Sequence, residues 1–158
     1  MRFFRKFIVV SVTLSLATSC STVAVPVTDG MCSRIADFAN ATKDDSKHTV
    51  ELRNTDSFGQ TCDANSYEPG ATLCNWLTSH TSREFAEDNI SNALSCIGAK
   101  RLYFGGGLPG EQLNVEYYTG KINSTDLKLV RQGIMVEVEY SIGVENHPTY
   151  LKISAEQQ

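Results

Sequence analysis

Apolar residues recur at helical spacing in three places along the chain. Met31, Ile35, Phe38 and Ala39 line one face of a short helix; Leu73, Cys74, Trp76 and Leu77 support a second of two to three turns; Phe85, Ala86, Ile90, Ala93, Leu94 and Ile97 line a longer third. Elsewhere the period falls to two. Val50 and Leu52 alternate with Thr49, Glu51 and Arg53, and Leu113, Val115 and Tyr117 alternate, as do Leu127 and Leu129. The clearest alternation is Ile134, Val136, Val138, Tyr140 and Ile142 against Met135, Glu137, Glu139 and Ser141, a strand with one covered and one wet face. A last strand over 149–154 follows the turn residues Glu145, Asn146, His147 and Pro148.

Between these elements the punctuation is local. Residues 54–70 are dense in Asn, Asp, Ser, Gly and Pro and predict a loop pinned by Cys62. Gly98 stands where a helix-ending glycine is expected. Thr81-x-x-Glu84 has the form of a capping box for the third helix, the threonine oxygen taking a first-turn N–H and the glutamate reaching back to the cap. Helices followed by a run of strands predict an α+β class: a disulfide-stapled helical subdomain packed on a three- or four-stranded antiparallel β-meander.

The ends of the chain change the picture. Arg2, Arg5 and Lys6 precede an apolar run from Phe7 to Ala17 and then small residues, the layout of a secretory signal peptide and too short to span a bilayer. Ala17 and Ser19 suit cleavage before Cys20, with Ala24 a second place; Ala17-Thr18-Ser19-Cys20 also resembles the bacterial lipobox, which implies a lipid on Cys20. The expected organisation is therefore a leader over 1–20, a flexible tether over 21–30 and one α+β domain over 31–158. Periplasm or cell envelope is the expected location, with the membrane reached only through that lipid, and secretion is the alternative.

In an exported chain Cys32, Cys62, Cys74 and Cys96 predict two bridges. If the second and third helices formed an antiparallel hairpin about residue 81, Cys96 would overhang Cys74 by roughly 12 Å, beyond a disulfide's reach. The hairpin geometry then favours Cys62 with Cys96 and Cys32 with Cys74. A zinc site is disfavoured, since no C-x-x-C pair occurs, and no cofactor is implied. The formal charge of −4 becomes −7 without Arg2, Arg5 and Lys6, the wrong sign for nucleic acid and the right one for a basic envelope or secreted protein.

His80, among Thr78, Ser79, Thr81 and Ser82, is the best catalytic candidate, with Ser79 as nucleophile or Glu84 as its partner. A serine nucleophile needs a histidine within hydrogen-bond reach and a carboxylate to orient it, and no G-x-S-x-G elbow surrounds these serines. Catalysis is thus the alternative and a contact surface at His80 the preferred reading. The stretch Tyr103 to Glu111 is rich in glycine and carries an apolar tip, so Gly106, Leu108 and Pro109 are candidate partner-contact residues. Asp44-Asp45, Glu87-Asp88 and Glu137/Glu139 lack the alternation and glycine of a calcium loop. Sequons at Asn40, Asn89 and Asn123 matter only in a eukaryotic secretory pathway.

The two helices running from Trp76-Leu77 to Leu94-Ser95-Cys96, a leucine-bearing one and then one ending in a cysteine, resemble those of small periplasmic immunity proteins that protect bacteria from secreted cell-wall amidases. The resemblance spans about a fifth of the chain. It implies an exported, non-catalytic binding or inhibitor protein and an all-helical fold; a small periplasmic hydrolase using His80 is the competing expectation.

Overall fold

The computed structural model describes residues 27–43, 46–55, 59–99, 112–113, 117–143 and 148–158. Its elements in chain order are α1 (Val27–Ala41), β1 (His48–Thr55), β2 (Gly59–Asp63), α2 (Glu68–His80), α3 (Ala86–Cys96), β3 (Gln112–Leu113), β4 (Tyr117–Ser124), β5 (Ile134–Gly143) and β6 (Thr149–Gln157). All strands pair antiparallel in one sheet of order β2-β1-β6-β5-β4-β3. This is the α+β arrangement of stapled helices on an antiparallel sheet. The expected meander is present as β4, β5 and β6, and the sheet is wider because the β1–β2 hairpin joins it along β6. That sheet departs from the all-helical pattern implied by the resemblance to immunity proteins.

Helices cover one face of the sheet. Met31, Ile35 and Phe38 of α1, Leu73 and Leu77 of α2, and Ile90 and Leu94 of α3 are buried against Val50, Val136, Val138, Tyr140, Leu151 and Ile153. The register explains which side each strand residue takes. Val50 pairs with Ile153 and Ile153 with Val138, so the three stand in one row facing the helices. One residue further along, Glu51, Lys152, Glu139 and Lys121 form the matching row on the face no described helix covers.

Several local expectations change. Residues 54–70 are not one loop: Asn54 and Thr55 end β1, Gly59 to Asp63 form β2, and α2 begins at Glu68. Pairing with β1 supplies backbone partners that a composition of Asn, Asp and Gly does not advertise. Leu127 and Leu129 lie in a turn between β4 and β5, with the Val130 N–H donated to the Leu127 carbonyl, rather than in a strand. α1 takes in Val27 to Gly30, assigned above to the tether. The calls on Cys20, Asp44-Asp45, Gly106, Leu108, Pro109, Val115 and His147 lie outside the described residues.

The bridges are Cys32–Cys96 and Cys62–Cys74, with Cα separations of 5.0 and 5.4 Å, not Cys62–Cys96 and Cys32–Cys74. The hairpin premise is what fails. α1 packs against both α2 and α3, whereas α2 and α3 are not principal neighbours of each other. Cys32 of α1 therefore lies beside Cys96, and Cys62, carried by β2, meets the neighbouring α2 only twelve residues along the chain.

Candidate functional site

α1 presents Cys32, Ile35 and Ala36 at positions i, i+3 and i+4, and hence on one face. Opposite them α3 ends at Cys96, and Gly98 turns the chain with φ of 77°, a backbone state that favours glycine. The connection from β4 to β5 closes the third side. These parts enclose a predominantly apolar cleft of about 500 Å³ lined by Cys32, Ile35, Ala36, Ser95, Cys96, Gly98 and the run from Asp126 to Val130. Its size falls in the range of ligand pockets, roughly 300–1,000 Å³.

The third wall is fixed by an amide clamp. Asn40 Nδ2 donates to the Leu129 carbonyl at 2.8 Å, and the Arg131 N–H donates to Asn40 Oδ1 at 2.7 Å. Arg131 Nη2 also donates to the Thr42 carbonyl at 3.0 Å. The side chain of Asn40 thus satisfies two backbone groups of the turn, as a strand neighbour would. With the Cys32–Cys96 bridge on the other side, the cleft is built before any ligand arrives. Leu129 stands at it with 60% of its surface exposed, one of two large apolar residues so exposed among the described residues, the other being Phe85.

The residues expected around His80 do not assemble a nucleophile. His80 Nδ1–H donates to the Trp76 carbonyl at 3.1 Å, and its ring stacks on Trp76 at 5.0 Å between centroids. Ser79 Oγ donates to the Asn75 carbonyl at 2.6 Å, within its own helix. Glu84 is exposed and has no hydrogen bond or ion pair among the described residues. The capping box is also replaced. Thr81 Oγ1 donates back to the Leu77 carbonyl at 2.6 Å and closes α2, while the turn into α3 is held by Ser82 and Asn89. Buried Asn89 accepts the Ser82 N–H at 3.0 Å and donates to the Ser82 carbonyl at 2.6 Å, and Ser82 Oγ accepts the Phe85 N–H at 2.9 Å.

A serine–imidazole hydrogen bond does occur where the sequence drew no attention. Ser46 Oγ and His48 Nε2 lie 2.9 Å apart, and the His48 ring stacks on Tyr67 at 3.6 Å. No carboxylate orients that ring among the described residues, and Ser46 Oγ is also within donating distance, 3.0 Å, of the Lys43 carbonyl. The signal that could have pointed here is the pair Ser46-x-His48 at the mouth of a strand.

The open face of the sheet carries charge in register. Lys152 reaches Glu139 at 3.3 Å and Glu51 at 4.0 Å, and Lys121 reaches Glu137 at 3.1 Å and Glu139 at 3.9 Å. Glu137, only 6% exposed, also accepts from Lys47 at 2.8 Å. Burial alone would raise its pKa, but the hydrogen bonds and charges of Lys47 and Lys121 prevail and hold it below the ordinary glutamate value of 4.5. Tyr150 donates to Glu139 at 3.1 Å; burial first and that bond second push its phenol up to about 12. Glu137 and Glu139, expected as a plain wet face, are thus interlocked with cations.

Among the described residues no group of three His, Cys, Asp or Glu side chains is placed to hold a metal ion, and no helix is long and apolar enough to cross a membrane. Two disulfides are consistent with an exported, non-cytoplasmic chain. Comparison with protein families, with curated proteins and with solved structures finds no match.

Proposed function

We propose that this chain is an exported, non-catalytic binding or inhibitor protein of the bacterial periplasm or cell envelope, with a basic protein as its partner. The preformed apolar cleft beside the Cys32–Cys96 bridge carries the reading. Apolar surface held open by covalent and amide constraints lowers the ordering cost of association, which is the general advantage of a prebuilt binding site. The net charge of −4 favours encounter with a cation-rich partner and makes that encounter sensitive to salt. Exposed Leu129 is the natural anchor at the rim. A lipid on Cys20 would hold the protein at the membrane.

The test is affinity capture from envelope extract with the chain and its Leu129→Asp variant, beside a hydrolase screen with His80→Ala. The expected result is a stoichiometric basic partner that the Leu129 variant captures at least tenfold less well. Turnover that disappears in the His80 variant would instead establish the hydrolase.

A further inference from the structure

Asp126 and Lys128 stand two residues apart on the turn between β4 and β5, both exposed and both lining the apolar cleft. Among the described residues neither has a hydrogen bond or an ion pair. The open face of the sheet differs, because there Lys47, Lys121 and Lys152 are all bridged to glutamates. Leu127, between the two free charges, is packed against the core. One free anion and one free cation therefore share the mouth of an otherwise apolar space.

That space is larger than one side chain needs. A carbon of a saturated chain takes about 30 Å³, close to a water molecule's share of the liquid, so a leucine side chain fills about 120 Å³. The cleft offers about 500 Å³, enough for roughly sixteen chain carbons. Its described apolar lining is aliphatic or sulfur: Ile35, Ala36, Leu127, Leu129, Val130 and the Cys32–Cys96 bridge, with no aromatic ring to stack on a flat ligand. The bridge and the Asn40 clamp already fix the walls, so only the ligand has to be ordered.

We infer that the cleft binds a single-chain zwitterionic phospholipid, with its acyl chain along the apolar wall, its primary ammonium on Asp126 and its phosphate on Lys128. This goes beyond the protein partner proposed above and gives the cleft a ligand of its own. The chain supplies affinity, since it removes apolar surface from water on both sides, including that of Leu129, 60% exposed at the rim. The two charges supply selectivity. A fatty acid satisfies Lys128 but sets its carboxylate beside Asp126, and an alkyl amine has the opposite fault; only a head carrying both signs meets both residues with opposite charge.

The probes are three lysolipids with the same palmitoyl chain and different heads: zwitterionic phosphoethanolamine, anionic phosphoglycerol and uncharged glycerol. Each is titrated below its micelle concentration into the full chain, expressed with its own leader in an oxidising compartment and washed free of lipid. The expected result is saturable one-to-one binding that shifts the methyl signals of Ile35, Leu127 and Val130. The zwitterionic head should bind at least threefold more tightly than either of the others at low salt. Asp126→Asn should erase its advantage over the anionic head, and Lys128→Gln should narrow its advantage over the uncharged one. Ser95 is an exposed residue of the cleft wall, so Ser95→Trp should keep the melting temperature and weaken the zwitterionic lipid at least tenfold. No saturable binding overturns the inference, as do shifts confined to other methyls, binding indifferent to Ser95→Trp, or three heads bound alike. A basic protein captured without any lysolipid binding keeps the protein-partner reading and removes this one. Lysolipid held in the cleft with no protein captured does the reverse.

Discussion

Gly120 shows how one missing methyl shapes the sheet. A Cβ there would lie 2.6 Å from the ring and hydroxyl of Tyr140, its partner across β4 and β5, so the fully buried phenol occupies the space a side chain would take. Gly120→Ala should destabilise the protein by about 1–3 kcal/mol, the range for forced overpacking, read as a lower urea midpoint with unchanged slope. Glu137 gives a pH signature. Its folded pKa is depressed, so its contribution is complete above the ordinary value of 4.5 and is lost as pH falls below that through the folded pKa. Glu137→Gln should cost about 1–2 kcal/mol at neutral pH and progressively less as the pH falls below 4.5, measured as melting temperature against pH. Neither role was legible from residue type. Gly120 reads as an ordinary strand glycine, and Glu137 as one of two solvated acids, until the register shows which cations stand beside it.

The three helices were legible because each carries an apolar stripe, and α3 ends where Gly98 announced it, but α3, with 11 residues, is shorter than the 13-residue α2 rather than longer, and Phe85, expected on its apolar face, precedes it as an exposed cap residue. Their mutual packing was not, since a stripe reports that a helix has a buried face without naming what covers it. The expectation that α2 and α3 form a hairpin led to the wrong cysteine pairs, and the insertion of α1 against both helices corrected them. Peptide mapping without reduction should recover Cys32 with Cys96 and Cys62 with Cys74. The bridges span 64 and 12 residues, so chain entropy predicts that removing the first costs about 4 kcal/mol and the second about 3 kcal/mol, compared as paired Cys→Ser variants in urea. In the turn between α2 and α3, the expected Thr81–Glu84 box gave way to the Asn89 amide seven residues downstream of Ser82. Asn89→Ala leaves the Ser82 N–H without its acceptor and the Ser82 carbonyl with only the longer bond from Gln60 Nε2 at 3.4 Å, and should cost about 1–3 kcal/mol, while Glu84→Ala should stay within about 0.5 kcal/mol.

At the scale of the molecule, the α+β class follows from the switch of period along the chain, and the open face of the sheet follows from strict alternation in β5. The cleft had no such signal. It is made by one helix face, one helix end and one turn that are far apart in sequence, and it is held by Asn40, which as a residue type suggested only a sequon. The order of strands has a further consequence. β6, near the far end of the chain, lies between β1 and β5, and Thr49 pairs with Ser154 across 105 residues. Until Thr149 to Gln157 have been made, the β1–β2 hairpin has nothing to join, and a ribosome or translocation channel handles more than a hundred residues with the sheet's centre missing. Long-range pairing of this kind is slow, on the millisecond to second scale typical of such topologies. A chain stopped before Thr149 should therefore show helical signal without cooperative unfolding, and a protease that cuts ahead of Thr149 would act as an off-switch for the entire fold.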